Sequence, residues 1–178
     1  MKAHSYVSGA IALLAIAYEV HSAAAPANVH DLMKDVVAVQ AQVVWDVSNQ
    51  AQDDAGNPDA SKLAAGDWTK IMAAGEKVRQ AAQALAQSEH VLAAAPGVKL
   101  EGEGNPGAFG AQQVQAAIDA NPAQFRAYSK ALAVSMEQLA SATKTKDATK
   151  LADVSGALDQ VCETCHVKFW YPQQQAAR

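Results

Sequence analysis

The chain has 178 residues, a formal net charge of −4 at pH 7, and a composition that is 50% hydrophobic but only 6% aromatic. This length suits one domain with a core of its own. Acidic and basic residues are mixed along the chain, without the basic block that is typical of proteins that bind nucleic acid. Alanine dominates the apolar residues, and no stretch alternates as a strand does, so we expect an all-α protein.

The N-terminus has the pattern of a secretion signal. A short basic start precedes an apolar run over residues 7–18, and small residues follow it. The run is shorter than the ~20 residues that span a bilayer, which disfavours the alternative of an uncleaved membrane anchor. We therefore expect residues 1–27 to form a Sec signal peptide, cut after Ala24 or Ala27. Residues 28–178 would then be a single periplasmic domain with no membrane span.

Two helices are predicted in the first half of the remaining chain. The first covers about residues 29–49 and is followed by a turn-rich linker. The second covers about residues 66–95 and is stopped by Pro96 and Gly97. Helical spacing places on the first helix an apolar stripe made of Leu32, Val36, Val39, Val43 and Val47.

The second half of the chain predicts two more long helices. A Gly- and Pro-rich loop over residues 96–110 and a short helix over about residues 112–119 come first. Asn121 and Pro122 mark the start of the third long helix, and the fourth covers about residues 147–169. Four amphipathic helices with mostly short connections favour an antiparallel four-helix bundle, with a haem attached near the end of the last helix.

The prediction of a haem depends on one motif, Cys162-Glu163-Thr164-Cys165-His166. A Cys-x-x-Cys-His sequence is the attachment signature of c-type haem. On a helix, the two thiols lie on one face and can bond the two vinyl groups of a porphyrin, while the adjacent imidazole can bind the iron as proximal ligand. The chain has two cysteines, and this motif uses both. We therefore expect one covalent haem c, with thioether bonds to Cys162 and Cys165 and an iron bond to His166.

Three other uses of this cysteine pair are possible from the residue types. A redox dithiol usually opens a helix after a strand, and the sequence has no such pattern. A zinc site with two Cys and one His needs a fourth ligand, for which His30 and His90 are the further imidazoles after the signal. A disulfide between residues three apart in a helix has poor geometry.

The position of the motif near the C-terminus, on the last helix of a four-helix protein, resembles the class II cytochromes c, the cytochrome c' family. The specific resemblance covers residues 162–169, in which Lys168 and Phe169 form a basic-aromatic continuation after His166. This resemblance implies that the distal side of the haem is formed by the first helix, around His30, Leu32 and Met33. Typical members carry an arginine one turn before the distal residue, and this first helix has none.

The resemblance leaves the sixth ligand open. Met33 is the first choice as distal ligand, because a thioether opposite His is common in electron-transfer haems. If the helix is rotated by one residue, Leu32 covers the iron instead and the iron is five-coordinate. His30 would give bis-His ligation.

These ligand sets correspond to different functions. We expect an electron carrier rather than an enzyme, with redox proteins as partners. The alternative is a five-coordinate haem protein that binds NO or CO. A peroxidase would need a distal acid or base, for which His30 is the candidate. The resemblance also allows a homodimer formed through the first two helices.

Overall fold

The computed structural model describes residues 27–172 and is mostly helical over this range. The predicted signal peptide, apart from Ala27, lies outside the described residues. The elements are β1 (Ala27–Asn28), α1 (Val29–Leu32), a π-helical turn (Met33–Val37), α2 (Ala38–Gln50), a 3₁₀ turn (Ala60–Lys62), α3 (Ala65–Gln87), β2 (Val91–Leu92), α4 (Ala111–Ala120), α5 (Pro122–Thr145) and α6 (Ala148–Phe169). Because α1, the π turn and α2 follow one another directly, residues 29–50 are called the N-terminal helix below.

Local chemistry sets the starts of α5 and α6 and the turn between them. Asp147 accepts a hydrogen bond on its carboxylate from Lys150 N–H at 3.0 Å, and this bond satisfies a donor at the start of α6. Pro122 is the first residue of α5, where its missing N–H costs nothing. Lys146, which follows α5, adopts the left-handed conformation with a φ of 51°. The chain can therefore reverse between α5 and α6 within two residues.

Each of the four long helices packs mainly against two others. α3 packs against α2 and α5, and α6 packs against α5 and α2. α3 and α5 share the most extensive interface and approach closely at Gly75, where an added methyl carbon would lie 2.6 Å from Leu139 Cδ2. The fully buried side chains of the interior include Val44, Ile71, Val78, Leu85, Met136, Leu139, Leu151 and Leu158. Within residues 27–172, no helix is both long and apolar enough to cross a membrane.

The N-terminal helix differs from its predicted form because of the π turn. Ala38 N–H bonds to the carbonyl of Met33, so this turn holds one residue more than an α-helical turn. Of the predicted apolar stripe, Val47 is buried and Leu32, Val36 and Val43 are partly buried against the core, as expected. The prediction was wrong for Val39, which is 52% exposed. The side chains buried after Leu32 and Met33 are Val37, Ala41, Val44, Val47 and Ser48.

A second difference lies after α3, which ends at Gln87 and does not continue to residue 95. Residues 88–110, called the strap below, cross from α3 to α4. They include β2, which pairs in parallel with β1, so the described residues contain two short strands that the sequence did not predict. At its other end the strap donates a hydrogen bond from Phe109 N–H to the carbonyl of Trp170 at 2.7 Å. The strap therefore connects the start of the N-terminal helix with the end of α6.

Candidate haem-attachment site

The two cysteines lie on the inward side of α6, near its C-terminal end. Cys162 packs against the larger cluster of core residues, which lies between α2, α3, α5 and α6. Cys165, three residues later, packs against the smaller cluster, which contains Phe125 and Phe169. Both cysteines are free thiols and are partly buried. The helix thus presents both sulfurs to one side, as attachment to one edge of a porphyrin requires.

Burial keeps both thiols protonated in the folded chain. It raises the pKa of Cys162 to about 11, with a further contribution from the nearby carboxylate of Asp159. It raises the pKa of Cys165 to about 12, and the neighbouring Cys162 adds to this effect. Because the thiolate is the reactive and metal-binding form of cysteine, these thiols are poor nucleophiles at neutral pH.

His166 packs against the rings of two aromatic residues that follow it, Trp170 and Tyr171. Burial lowers its pKa, and the carboxylate of Glu163 offsets part of this effect. The ring centroid of Trp170 lies 5.1 Å from that of His166 at an interplanar angle of 85°, and the ring of Tyr171 lies 6.0 Å away. The Tyr171 hydroxyl donates to Glu163 Oε2 at 2.6 Å. A neutral imidazole keeps the lone pair that binds iron.

The indole of Trp170 provides a test of whether a haem suits this site. Its Nε1–H is buried, and it has no hydrogen-bond partner among residues 27–172. A buried donor without an acceptor costs about 1–3 kcal/mol, so such groups usually have a partner. A haem carries two carboxylates, which are acceptors of the kind that this N–H group lacks. Trp45 Nε1 is also buried without a partner, but Trp45 lines a separate groove of about 310 Å³ between α2 and α6.

The two distal candidates from the N-terminal helix lie in equivalent environments. Leu32 and Met33 are both partly buried, and both pack against the two clusters that also contact Cys162 and Cys165. Their side chains therefore face the same interior region as the motif on α6. The third candidate, His30, has its Nδ1 2.9 Å from Asp31 Oδ1.

The aromatic residues after the motif contribute more to the site than the sequence indicated. Phe169, predicted as part of the family continuation, is buried and packs edge-on against Phe125 at 5.4 Å. Lys168 is exposed. The roles of Trp170 and Tyr171 beside His166 were not predicted, although their positions four and five residues after His166 were a signal, because one helical turn separates i from i+4.

The fold does not favour the use of the cysteine pair as a redox dithiol or as part of a zinc site. The strands within residues 27–172 are two residues long and neither leads directly into α6, so the setting of a redox dithiol is missing there. Over the same range, no group of three or more His, Cys, Asp or Glu side chains is arranged to hold a metal ion.

Comparison with known proteins agrees with the motif and its position. A sequence model of the family described as Cytochrome C' matches residues 62–170, which is more than half of the chain and includes the Cys162–His166 motif. The match begins after the N-terminal helix, so it does not extend to Leu32 and Met33. The searches of curated proteins and of solved structures returned no match. On the family match, this chain belongs to the cytochrome c' family, whose members carry covalently bound haem c and act in electron transfer or gas binding.

Proposed function

We propose that this protein is an exported monohaem c-type cytochrome for one-electron transfer. In this proposal the haem is bonded to Cys162 and Cys165, and the iron is bound by His166 on one side and Met33 on the other. The observation that carries it is the inward-facing Cys-x-x-Cys-His motif on α6, in which burial lowers the pKa of the His166 imidazole and Trp170 packs against its ring.

The residues around the motif suit an electron carrier. When bound, the haem supplies an iron that alternates between Fe(III) and Fe(II). The rings of Trp170 and Tyr171, which lie 5.5 Å apart, pack together against the imidazole of His166, which limits its movement when the charge of the iron changes. The packing of Phe125 and Phe169 keeps water from the inner side of α6. A fixed ligand and a dry surrounding stabilise one geometry in both oxidation states.

The proposal includes an antiparallel four-helix bundle made of α2, α3, α5 and α6. It is supported by the two main packing partners of each helix and by the tight reversal at Lys146. It also includes export through the signal at residues 1–27, a periplasmic location and redox proteins as partners. A homodimer is compatible with the family but is not needed for electron transfer.

The second candidate function is binding of NO or CO at a five-coordinate iron. It is favoured by the position of Leu32, which packs against the same two clusters as Met33. An apolar side chain over the distal face would leave the sixth position free for a small gas. Both candidates are carriers rather than enzymes, and both use the same proximal side.

The visible spectrum of the protein with its haem attached separates the two functions. We expect sharp low-spin bands that CO does not change rapidly, and we expect Met33→Ala to convert them to a broad, CO-sensitive high-spin spectrum. Met72→Ala is the matched control, because Met72 is a methionine that is 41% exposed on α3. A wild-type spectrum that is already high-spin and unaffected by Met33→Ala would support the gas-binding candidate. Absence of covalent haem would refute both.

A further inference from the structure

A single side chain of α4 holds the strap next to the strand pairing. Gln115 Oε1 accepts a hydrogen bond from Ala93 N–H at 2.8 Å, and its Nε2 donates to the carbonyl of Val91 at 3.1 Å. The same Nε2 lies 2.9 Å from Asp119 Oδ1, one turn along α4. Ala93 is 2% exposed, so its backbone is shielded from water. Gln115 therefore supplies hydrogen bonds that water does not replace easily at this point of the strap.

The strap in turn holds the start of the N-terminal helix. The carbonyl of Ala93 accepts a hydrogen bond from His30 N–H at 2.9 Å, and the carbonyl of His90 accepts one from Ala27 N–H at 3.2 Å. β1 and β2 pair Ala27 with Val91. A continuous series of hydrogen bonds thus joins Gln115 to His30, which lies three residues before Met33.

The start of this helix depends on that support. The first four N–H groups of a helix have no partner within it, and His30 N–H is one of them. α1 is four residues long and is followed at once by the π turn, and besides the strap its start is held by the side chain of Asn28, which accepts a hydrogen bond from Asp31 N–H at 3.3 Å. Helix ends with few such bonds open locally at low cost in free energy. Without the strap, the turn that carries Leu32 and Met33 would be held by the Asn28 cap and by its core contacts alone.

We propose that Gln115 is a positioning residue for the distal side of the haem. Through Ala93 and His30 it fixes the rotation of the first turn of the N-terminal helix, and it thereby sets which side chain faces the iron. This inference rests on the proposed function, because it requires that the N-terminal helix forms the distal side. Gln115 itself does not touch the reacting centre in this proposal.

The test is Gln115→Leu in the protein with haem attached, with Gln112→Leu as control. Leucine keeps much of the side-chain volume but makes none of the hydrogen bonds, and Gln112 is an exposed glutamine on the same helix. The readouts are the spin state, the rate of CO binding to the reduced protein, and hydrogen exchange of the His30 amide. We expect CO binding to become about tenfold faster in Gln115→Leu, as the loss of one or two hydrogen bonds would allow. We expect Gln112→Leu to behave as wild type.

The outcomes separate this inference from the proposed ligation. If Gln115→Leu speeds exchange of the His30 amide but leaves the spectrum and the CO rate unchanged, the positioning role is refuted while ligation by Met33 stands. If Met33→Ala has no effect on the spectrum, ligation by Met33 fails. The CO rate of Gln115→Leu against Gln112→Leu then still decides whether the first turn is positioned by Gln115.

A second variant keeps the test decisive if Gln115→Leu does not fold. Gln115→Glu retains an acceptor for Ala93 N–H but cannot donate to the carbonyl of Val91, and it places a like charge beside Asp119. We expect a smaller acceleration of CO binding in the same direction. A CO rate equal to that of Gln112→Glu would overturn the inference.

Discussion

Replacement of Gly75 by alanine tests the close approach of α3 and α5. The new methyl carbon would lie 2.6 Å from Leu139 Cδ2, 3.6 Å from Leu139 Cγ and 3.8 Å from Met136 Sδ. Carbon atoms in contact are normally about 3.5–4.0 Å apart, so the first of these distances is an overlap of about 1 Å. Leu139 is fully buried and cannot turn its side chain into water. Either the leucine leaves its preferred rotamer or the two helices separate.

Two opposite effects determine the size of the change in stability. Alanine in a helix is more stable than glycine by about 0.5–1 kcal/mol. Overpacking of a tight core costs about 1–3 kcal/mol. Because the overlap meets a fully buried side chain, we expect the second effect to be larger. The free energy of unfolding of Gly75→Ala should therefore fall by about 1 kcal/mol.

A double-mutant cycle with Leu139→Ala tests whether the overlap with Leu139 causes the loss of stability. Leu139→Ala alone should cost about 2–5 kcal/mol, because it leaves a cavity between α3 and α5. In that background the methyl group of Gly75→Ala has space, so the substitution should raise stability by up to about 1 kcal/mol. The sign of its effect reverses, and the coupling energy between the two sites is about 2 kcal/mol.

Chemical denaturation at 25 °C measures all four proteins of this cycle. Gly66→Ala is the control on the same helix, because a methyl group there would have no atom within 4 Å, and we expect it to be neutral or stabilising. If Gly75→Ala stabilises the wild-type background as much as the Leu139→Ala background, the close helix approach described here is wrong.

Three further predictions concern the site and the surface. Trp170→Phe should destabilise the haem-loaded protein by about 1–2 kcal/mol more than the haem-free chain, because in the haem-free chain the indole N–H already lacks an acceptor. If chemical denaturation shows equal losses of stability in the two forms, the haem does not accept a hydrogen bond from Trp170. In the folded haem-free chain, alkylation at pH 8 should be slower than in the unfolded chain by about 200-fold at Cys162 and about 2,000-fold at Cys165, because their raised pKa values reduce the thiolate fraction. A rate that does not rise on addition of denaturant would argue against burial of the thiols. The Arg79 guanidinium holds the pKa of Glu76 at about 2, so the stability that Glu76 adds over Glu76→Gln should be present above pH 4.5 and disappear as the pH falls toward 2. Chemical denaturation of both proteins across this pH range checks the prediction. If the difference in their stability does not change with pH, the ion pair is not the source of that difference.

The sequence predicted those parts of the fold that depend on neighbouring residues. Pro122 marked the start of α5, and the predicted range of 147–169 placed the start of α6 correctly, where Asp147 acts on a backbone group within one turn. The end of α3 was missed for the opposite reason. Alanines 93–95 favour a helix, but Ala93 is bonded to Gln115 and His30, which are remote in sequence. Such tertiary hydrogen bonds override helix propensity, and composition does not reveal them.

The candidate site also has one part that neighbouring residues predict and another part that depends on the fold. The Cys162-x-x-Cys165-His166 motif is local and was recognised from its spacing alone. The aromatic contacts of His166 depend on the conformation of the chain at Trp170, where α6 ends. Residue spacing alone does not predict that conformation. The choice between Leu32 and Met33 depends on a rotation of one residue, and the π turn that influences it has no sequence signature.

The π turn has a consequence for comparing this chain with its relatives. A relative whose first helix is regular would need one residue fewer between the distal position and the first buried turn of α2. Aligned on α2 without a gap, the two sequences would pair each residue before this chain's π turn with a neighbour of its true counterpart, so Leu32 and Met33 would both be matched one position off. Ligand assignments carried across the family by counting along this helix are therefore safe only when the alignment places a single-residue gap within residues 33–37.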